Sequence, residues 1–233
     1  MGTYRTHLLT GAACGAVTAW LFPSVPEVTT VVLPILHDIP VGQTAAWIAW
    51  SSIIALWPDG DHPASKSFRM LWRLGGCAVI GILGLWWLAP TSIPTMLTSM
   101  VGTAWLIPPI WCLITVGLAL VLCIWSDGHR KRTHSLVTAA MLAAGAAGAW
   151  LLASMVPDPL IRGILSAVWL STAGLAWGIV CHLPPDLCTA SGVPIAYPLR
   201  SPVVGKGIVI PEPIVQLVSG LILSFCLIHL WGG

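Results

Sequence analysis

Charge is what this chain has least of. Ten basic and eight acidic residues in 233 make it 8% charged and 57% hydrophobic, whereas a soluble domain carries roughly 25% charged residues. A water-soluble globule is excluded. So is a nucleic-acid surface, because a net charge of +2 over this length cannot track phosphates. The cysteines lack a pattern: Cys14, Cys77, Cys112, Cys123, Cys181, Cys188 and Cys226 are odd in number, form no C-x-x-C pair and lie mostly in apolar runs, so no disulfide framework is implied. No internal repeat or low-complexity tail stands out. Arg5 precedes an apolar run from Leu8 to Phe22, but no small-residue cleavage site follows, so a removed signal peptide is not expected.

What the chain does have is apolar length. A membrane-spanning helix takes about 20 such residues. Runs bounded by Pro, Gly and charge predict helices at about Thr6 to Phe22, Val41 to Trp57, Met70 to Ala89, Ile107 to Trp125, Ser135 to Val156, Ile161 to Leu183 and Ile214 to Trp231. The expected fold is all-α: a polytopic integral membrane bundle of about seven helices, one domain over residues 1–233 with its last helix at about 214–231. Pro94 to Trp125 contains Pro108-Pro109 but yields pieces too short for two spans, so it reads as one crossing with a kinked lead-in. Val28 to Leu36, boxed by Pro26, Pro34 and Pro40, is too short to cross and reads as re-entrant or interfacial.

Seven spans sort the basic residues. Arg5, Lys66, Arg69, Arg73, Arg130, Lys131, Arg132, Arg200 and Lys206 fall on one side and Arg162 on the other, which predicts a cytoplasmic N-terminus and an external C-terminus. Gly11, Gly15 and the Gly145 to Gly148 stretch are expected to allow close helix packing. Tryptophan pairs such as Trp86-Trp87 read as belt residues at the membrane interface.

An ionisable group at membrane depth costs roughly 2.5–3.5 kcal/mol on insertion scales, so the few present should serve something. His7 opens the first helix; Asp59, Asp61 and His62 follow the second; His129 and His134 precede the fifth; His182 and Asp186 end the sixth. Five of seven histidines and three of six aspartates thus gather at one face. The sidedness came from Lys and Arg alone, so this gathering is independent of it. Imidazole nitrogens and carboxylate oxygens from several helix ends can hold a divalent metal. Gly60 lets the Asp59-Gly60-Asp61-His62 turn fold tightly. Pro184-Pro185 suggests that the sixth helix stops there and a turn presents Asp186. His129 to Ser135 mixes cations, hydroxyls and a helix start, a setting for an anion such as phosphate or for lipid headgroups. His37, Asp38 and His229 fall on the opposite face and read as structural or interfacial.

These residues carry a resemblance. His7 with Leu8-Leu9-Thr10-Gly11, Asp59-Gly60-Asp61-His62-Pro63, His129-Arg130 with Thr133-His134-Ser135, and His182 with Asp186 leading to Thr189-Ala190-Ser191-Gly192-Val193-Pro194 resemble the bacterial YdjM-like inner-membrane proteins. That family is described as membrane-bound metal-dependent hydrolases, and also as regulated by the LexA damage-response repressor. The likeness runs from His7 to about Pro198. It departs at Pro184-Pro185, where aliphatic residues are expected, and at Ala196-Tyr197-Pro198, where Leu-Trp-Pro is more typical.

The resemblance implies a bacterial inner-membrane location and a shared centre of eight residues. The expected assignment is metal ligation by Asp61, His62, His134 and His182, with His7 as a ligand or a partner behind one, Asp59 or Asp186 as ligand or general base, and His129 as a catalytic group, a ligand or such a partner. Arg130, Arg132, Thr133 and Ser135 would contact an anionic headgroup. Zinc is the expected ion, with manganese or iron as alternatives. Membrane lipids are the expected partners, and a phospholipid or other amphipathic phosphoester the expected substrate. The rival reading is a transporter or metal-handling protein using the same ligands, which would place them near mid-bilayer. A structural scaffold would tolerate alanine at all eight.

Overall fold

The computed structural model describes residues 3–25, 39–61, 132–197, 203–204 and 209–231, with isolated positions between 69 and 121. The expected spans at about 70–89 and 107–125 and the segment 28–36 lie outside these, apart from the isolated positions. Five long helices are described: α1 Tyr4–Leu21, α2 Pro40–Ile54, α3 Leu136–Met155, α4 Pro159–Leu187 and α5 Glu212–Trp231. Two 3-10 turns, Trp57–Asp61 after α2 and Arg132–His134 before α3, complete the elements.

Local chemistry sets the boundaries. Pro40 opens α2 and Pro159 opens α4, where a missing N–H costs nothing. The Asp158 carboxylate caps α4 by accepting from Ile161 N at 2.9 Å. Ser135 caps α3 by accepting from Val137 N at 3.2 Å. Between α3 and α4, Arg162 Nε donates to Val156 O at 3.0 Å and its Nη2 to Pro157 O at 3.2 Å, closing the turn.

One boundary differs from expectation. α4 runs through Pro184 and Pro185 to Leu187, so Asp186 sits on the helix four residues after His182 rather than on a turn. The two prolines withhold only the N–H groups that Val180 and Cys181 would otherwise receive, and they fall in the last turn, where the helix has little left to lose. Thr189 then ends it, its N–H and hydroxyl both donating to Asp186 O at 3.1 and 2.8 Å.

α1 packs between α2 and α5 and also touches α4, while α3 lies along α4. A Cβ on Gly11 would stand 2.6 Å from Ser51 O, and one on Gly15 2.8 Å from Ser51 Cβ, so both glycines are required by the close approach of α2. Gly145 and Gly148 differ: a Cβ there meets nothing within 4 Å, and the expectation of close packing fails at both. α3 instead packs through small Ala139, Ala146, Ala149 and Ala153. Tryptophans act as bolts between helices: Trp47 Nε1 donates to Gly15 O at 3.1 Å, Trp57 Nε1 to Leu175 O at 2.8 Å, and Trp177 Nε1 to Ser51 Oγ at 3.0 Å. Thr115, in the expected fourth span, shares a 2.8 Å hydrogen bond with Ser171 of α4.

Large apolar side chains point outward, among them Met155, Leu217, Leu221 and Ile228. That is the reverse of a soluble domain and suits a lipid surround. Leu136–Met155, Ile161–Leu187 and Glu212–Trp231 are long and apolar enough to cross a membrane. α1 and α2 are helical as expected but fall short by that standard, α2 in length and α1 because its first two turns carry Arg5, Thr6, His7 and Thr10. Those polar residues have work at that end: Glu212 accepts from Thr3 N at 3.1 Å and from the Thr3 and Thr6 hydroxyls, and Gln216 Nε2 donates to Thr6 Oγ1 at 3.0 Å, tying α5 to α1.

Candidate metal centre

The start of α1, the end of α2, the start of α3 and the end of α4 meet at one end of the bundle. His7, Asp59, His134, His182 and Asp186 converge there, each no more than 5% exposed. Five of the eight expected residues are thereby brought together. Asp61 and Arg132 are placed by backbone alone, in the two 3-10 turns. His62, His129 and Arg130 lie outside the described residues. His229 sits on the outer face of α5, with Nδ1 donating to Phe225 O at 2.8 Å.

Each donor is held by something specific. Trp57, bonded to Leu175 O of α4, fixes the turn that carries Asp59. His182 Nδ1 lies 2.7 Å from Ala55 O. A carbonyl only accepts, so Nδ1 donates to it and the ring turns Nε2 toward the centre. The Thr133 hydroxyl is 3.0 Å from His134 Nδ1 and turns that ring's Nε2 the same way. His7 stacks on His182, with ring centres 3.9 Å apart and planes 5° from parallel.

The donors at the middle are close enough together to hold an ion. His134 Nε2 and His182 Nε2 are 3.0 Å apart. Asp59 Oδ1 is 3.5 Å from each of them, and Asp186 Oδ2 is 3.3 Å from His134 Nε2 and 3.4 Å from His182 Nε2. Zinc bound tetrahedrally at roughly 2.0–2.1 Å sets its donors about 3.3–3.4 Å apart. An octahedral ion at the same bond length would need about 2.9 Å. The nitrogen to oxygen separations lie near the tetrahedral spacing and the nitrogen pair is closer, so these imidazoles and carboxylates could hold a divalent ion. His7, Asp59 and His182, and separately His134, His182 and Asp186, form groups whose donor atoms all lie within 4.8 Å of one another.

Electrostatics agrees. Burial would raise the Asp59 carboxyl, but its hydrogen bond with His134 and the His182 and His7 rings outweigh that and hold it below the usual carboxylate range. Two carboxylates side by side in a dry site call for positive charge, which a divalent cation would supply.

Thr133 and Ser135, expected to meet a headgroup, are buried, and their hydroxyls serve the fold. Ser135 Oγ donates to Ile195 O at 3.0 Å and contacts Tyr197 O. Leu136 N also donates to Ile195 O at 3.0 Å, so the first donors of α3 are occupied. The segment 189–197 is thus a clasp across the ends of α3 and α4. Gly192, at φ 60°, makes the left-handed turn that sends fully buried Val193 into the core.

Sequence reasoning missed the Ala55 carbonyl, which no side-chain pattern reveals, and the bolting role of Trp57, whose adjacency to Pro58-Asp59 was the available signal. No curated protein and no solved structure matches the chain. The family model for the YdjM inner membrane protein matches residues 1–232, and the chain belongs to that family.

Proposed function

We propose that the protein is a membrane-bound, metal-dependent hydrolase acting on a phospholipid or other amphipathic phosphoester. The observation that carries this reading is the ligand spacing among His134, His182, Asp59 and Asp186. A bound divalent ion would polarise the scissile group and acidify water toward neutrality. The protein's own part is to hold the carboxylates and imidazoles in place, exclude bulk water and accept a proton at a carboxylate. Zinc fits the donor set best, with manganese or iron as alternatives.

Two features support a lipid substrate. The centre lies at the end of the bundle, at headgroup depth if the helices cross. From Leu136, two residues beyond His134, an apolar groove of about 410 Å³ runs between α3 and α4 past Ala140, Ala143, Ala173, Trp177 and Val180. Its apolar lining suits an acyl chain.

The same end position separates this reading from the transporter, which would hold ligands near the bilayer middle. Residue 61 and residue 132 lie at that same end, which is compatible with the seven crossings read from the sequence. With the basic residues placed by the positive-inside rule, the N-terminus is cytoplasmic and the C-terminus external.

The test is turnover in vesicles. Protein reconstituted with zinc or manganese into phosphatidylglycerol and phosphatidylethanolamine should consume one of these lipids, as read by mass spectrometry, and both a chelator and His134→Ala should stop it. Ion flux across the vesicle wall with no phosphoester cleaved would replace the hydrolase by the transporter.

A further inference from the structure

We propose that the centre holds two divalent ions bridged by Asp59 and Asp186, with His7 the imidazole ligand of the second. The proposal rests on the metal-centre reading above and adds a site to it. Each aspartate presents one oxygen to the His134 and His182 pair and turns the other toward His7. His7 Nε2 stands 3.7 Å from Asp186 Oδ1 and 3.9 Å from Asp59 Oδ2. Both separations exceed a hydrogen bond, yet both suit donors sharing one ion at roughly 2.0–2.2 Å.

The His7 ring is committed to this place. It is 1% exposed, and its Nδ1 has no hydrogen-bond partner among the described residues. A buried imidazole held only by an aspartate would donate from Nε2 to a carboxylate oxygen within hydrogen-bond reach, which these distances deny. The stack supplies the remaining dimension. His7 and His182 rings lie 3.9 Å apart and 5° from parallel, with both Nε2 atoms facing the same two carboxylates. Ions in two-metal hydrolytic sites are about 3.5–4 Å apart. The first ion would then be enclosed by four protein donors, and the second would have three, leaving positions open for a substrate oxygen.

Charge then names the substrate class. One divalent ion neutralises the two carboxylates, and a second leaves the site with two surplus positive charges in a dry environment. An anionic group must accompany it. A phosphate bridging both ions satisfies that need, so the second ion should bind most tightly together with phosphate.

The test counts ions. Full-length protein in detergent is loaded with manganese, with and without inorganic phosphate, and metal per chain is read by mass spectrometry beside the electron paramagnetic resonance spectrum. Two ions per chain in the presence of phosphate and the spectrum of an exchange-coupled pair are expected. His7→Gln should hold one uncoupled ion in either condition. One uncoupled ion in the wild type under both conditions, or two ions retained in His7→Gln, overturns the two-ion centre and leaves the single-metal reading standing. No ion in the wild type overturns both.

Discussion

His182→Ala, purified in detergent and reloaded with zinc, is expected to retain less than about a tenth of the wild-type metal, since losing even a partner that orients a ligand costs about 10–100-fold in affinity. His182 does more than orient. Its Nε2 lies within 3.5 Å of His134, Asp59 and Asp186 donors, and its ring is the surface on which His7 stacks. The same variant should lose metal-induced stabilisation. A folded protein that binds an ion at a hundred times its Kd gains about 2.7 kcal/mol, so added zinc should raise the melting temperature of the wild type and leave that of His182→Ala unmoved. His182→Gln, which fills most of the same volume, should fail in the same way while eluting as folded protein. Equal zinc content in wild type and both variants would mean that the metal sits elsewhere.

Gly178→Val is expected to be among the most damaging substitutions outside the centre. A Cβ at this position stands 2.5 Å from Trp57 Cδ1, 2.6 Å from Ile54 O and 2.7 Å from Trp57 Nε1. The carbonyl belongs to the backbone of α2 and cannot step aside, so the helices must separate, at a cost of about 1–3 kcal/mol or more for overpacking. Separation also breaks the bond from Trp57 to Leu175 O, about 0.5–1.5 kcal/mol. Because Asp59 is two residues beyond Trp57, metal affinity should fall along with the melting temperature. Gly145→Val is the control. Its Cβ meets nothing within 4 Å, so it should fold and bind metal like the wild type. Equal loss in both variants would show that glycine content rather than the α2 to α4 contact matters.

The contrast between Gly178 and Gly145 shows where the sequence stops being readable. Both are glycines in apolar helices, and only a neighbour supplied by a different helix tells them apart. Helix existence was legible because apolar length and flanking prolines are local properties, and α3 and α5 begin and end within a few residues of expectation. The gathering of His7, Asp59, His134, His182 and Asp186 was legible because each stands at a helix end on the side chosen by the basic residues. Their pairing was not. Asp59 and Asp186, expected as ligand or general base, both stand within 3.5 Å of the His134 and His182 Nε2 atoms, an arrangement set by the fold of the Trp57–Asp61 turn and by α4 continuing through two prolines. The weak apolarity of α1 has the same origin, since Thr6 and His7 serve α5 and the centre instead of lipid.

The most direct test of the metal centre is zinc-edge X-ray absorption on the wild-type protein loaded with zinc. The expected result is a nitrogen and oxygen shell at about 2.0–2.1 Å, the outer-shell scattering of imidazole, and no sulfur. A sulfur shell at about 2.3 Å would place the metal on cysteine and contradict a centre built from His7, Asp59, His134, His182 and Asp186.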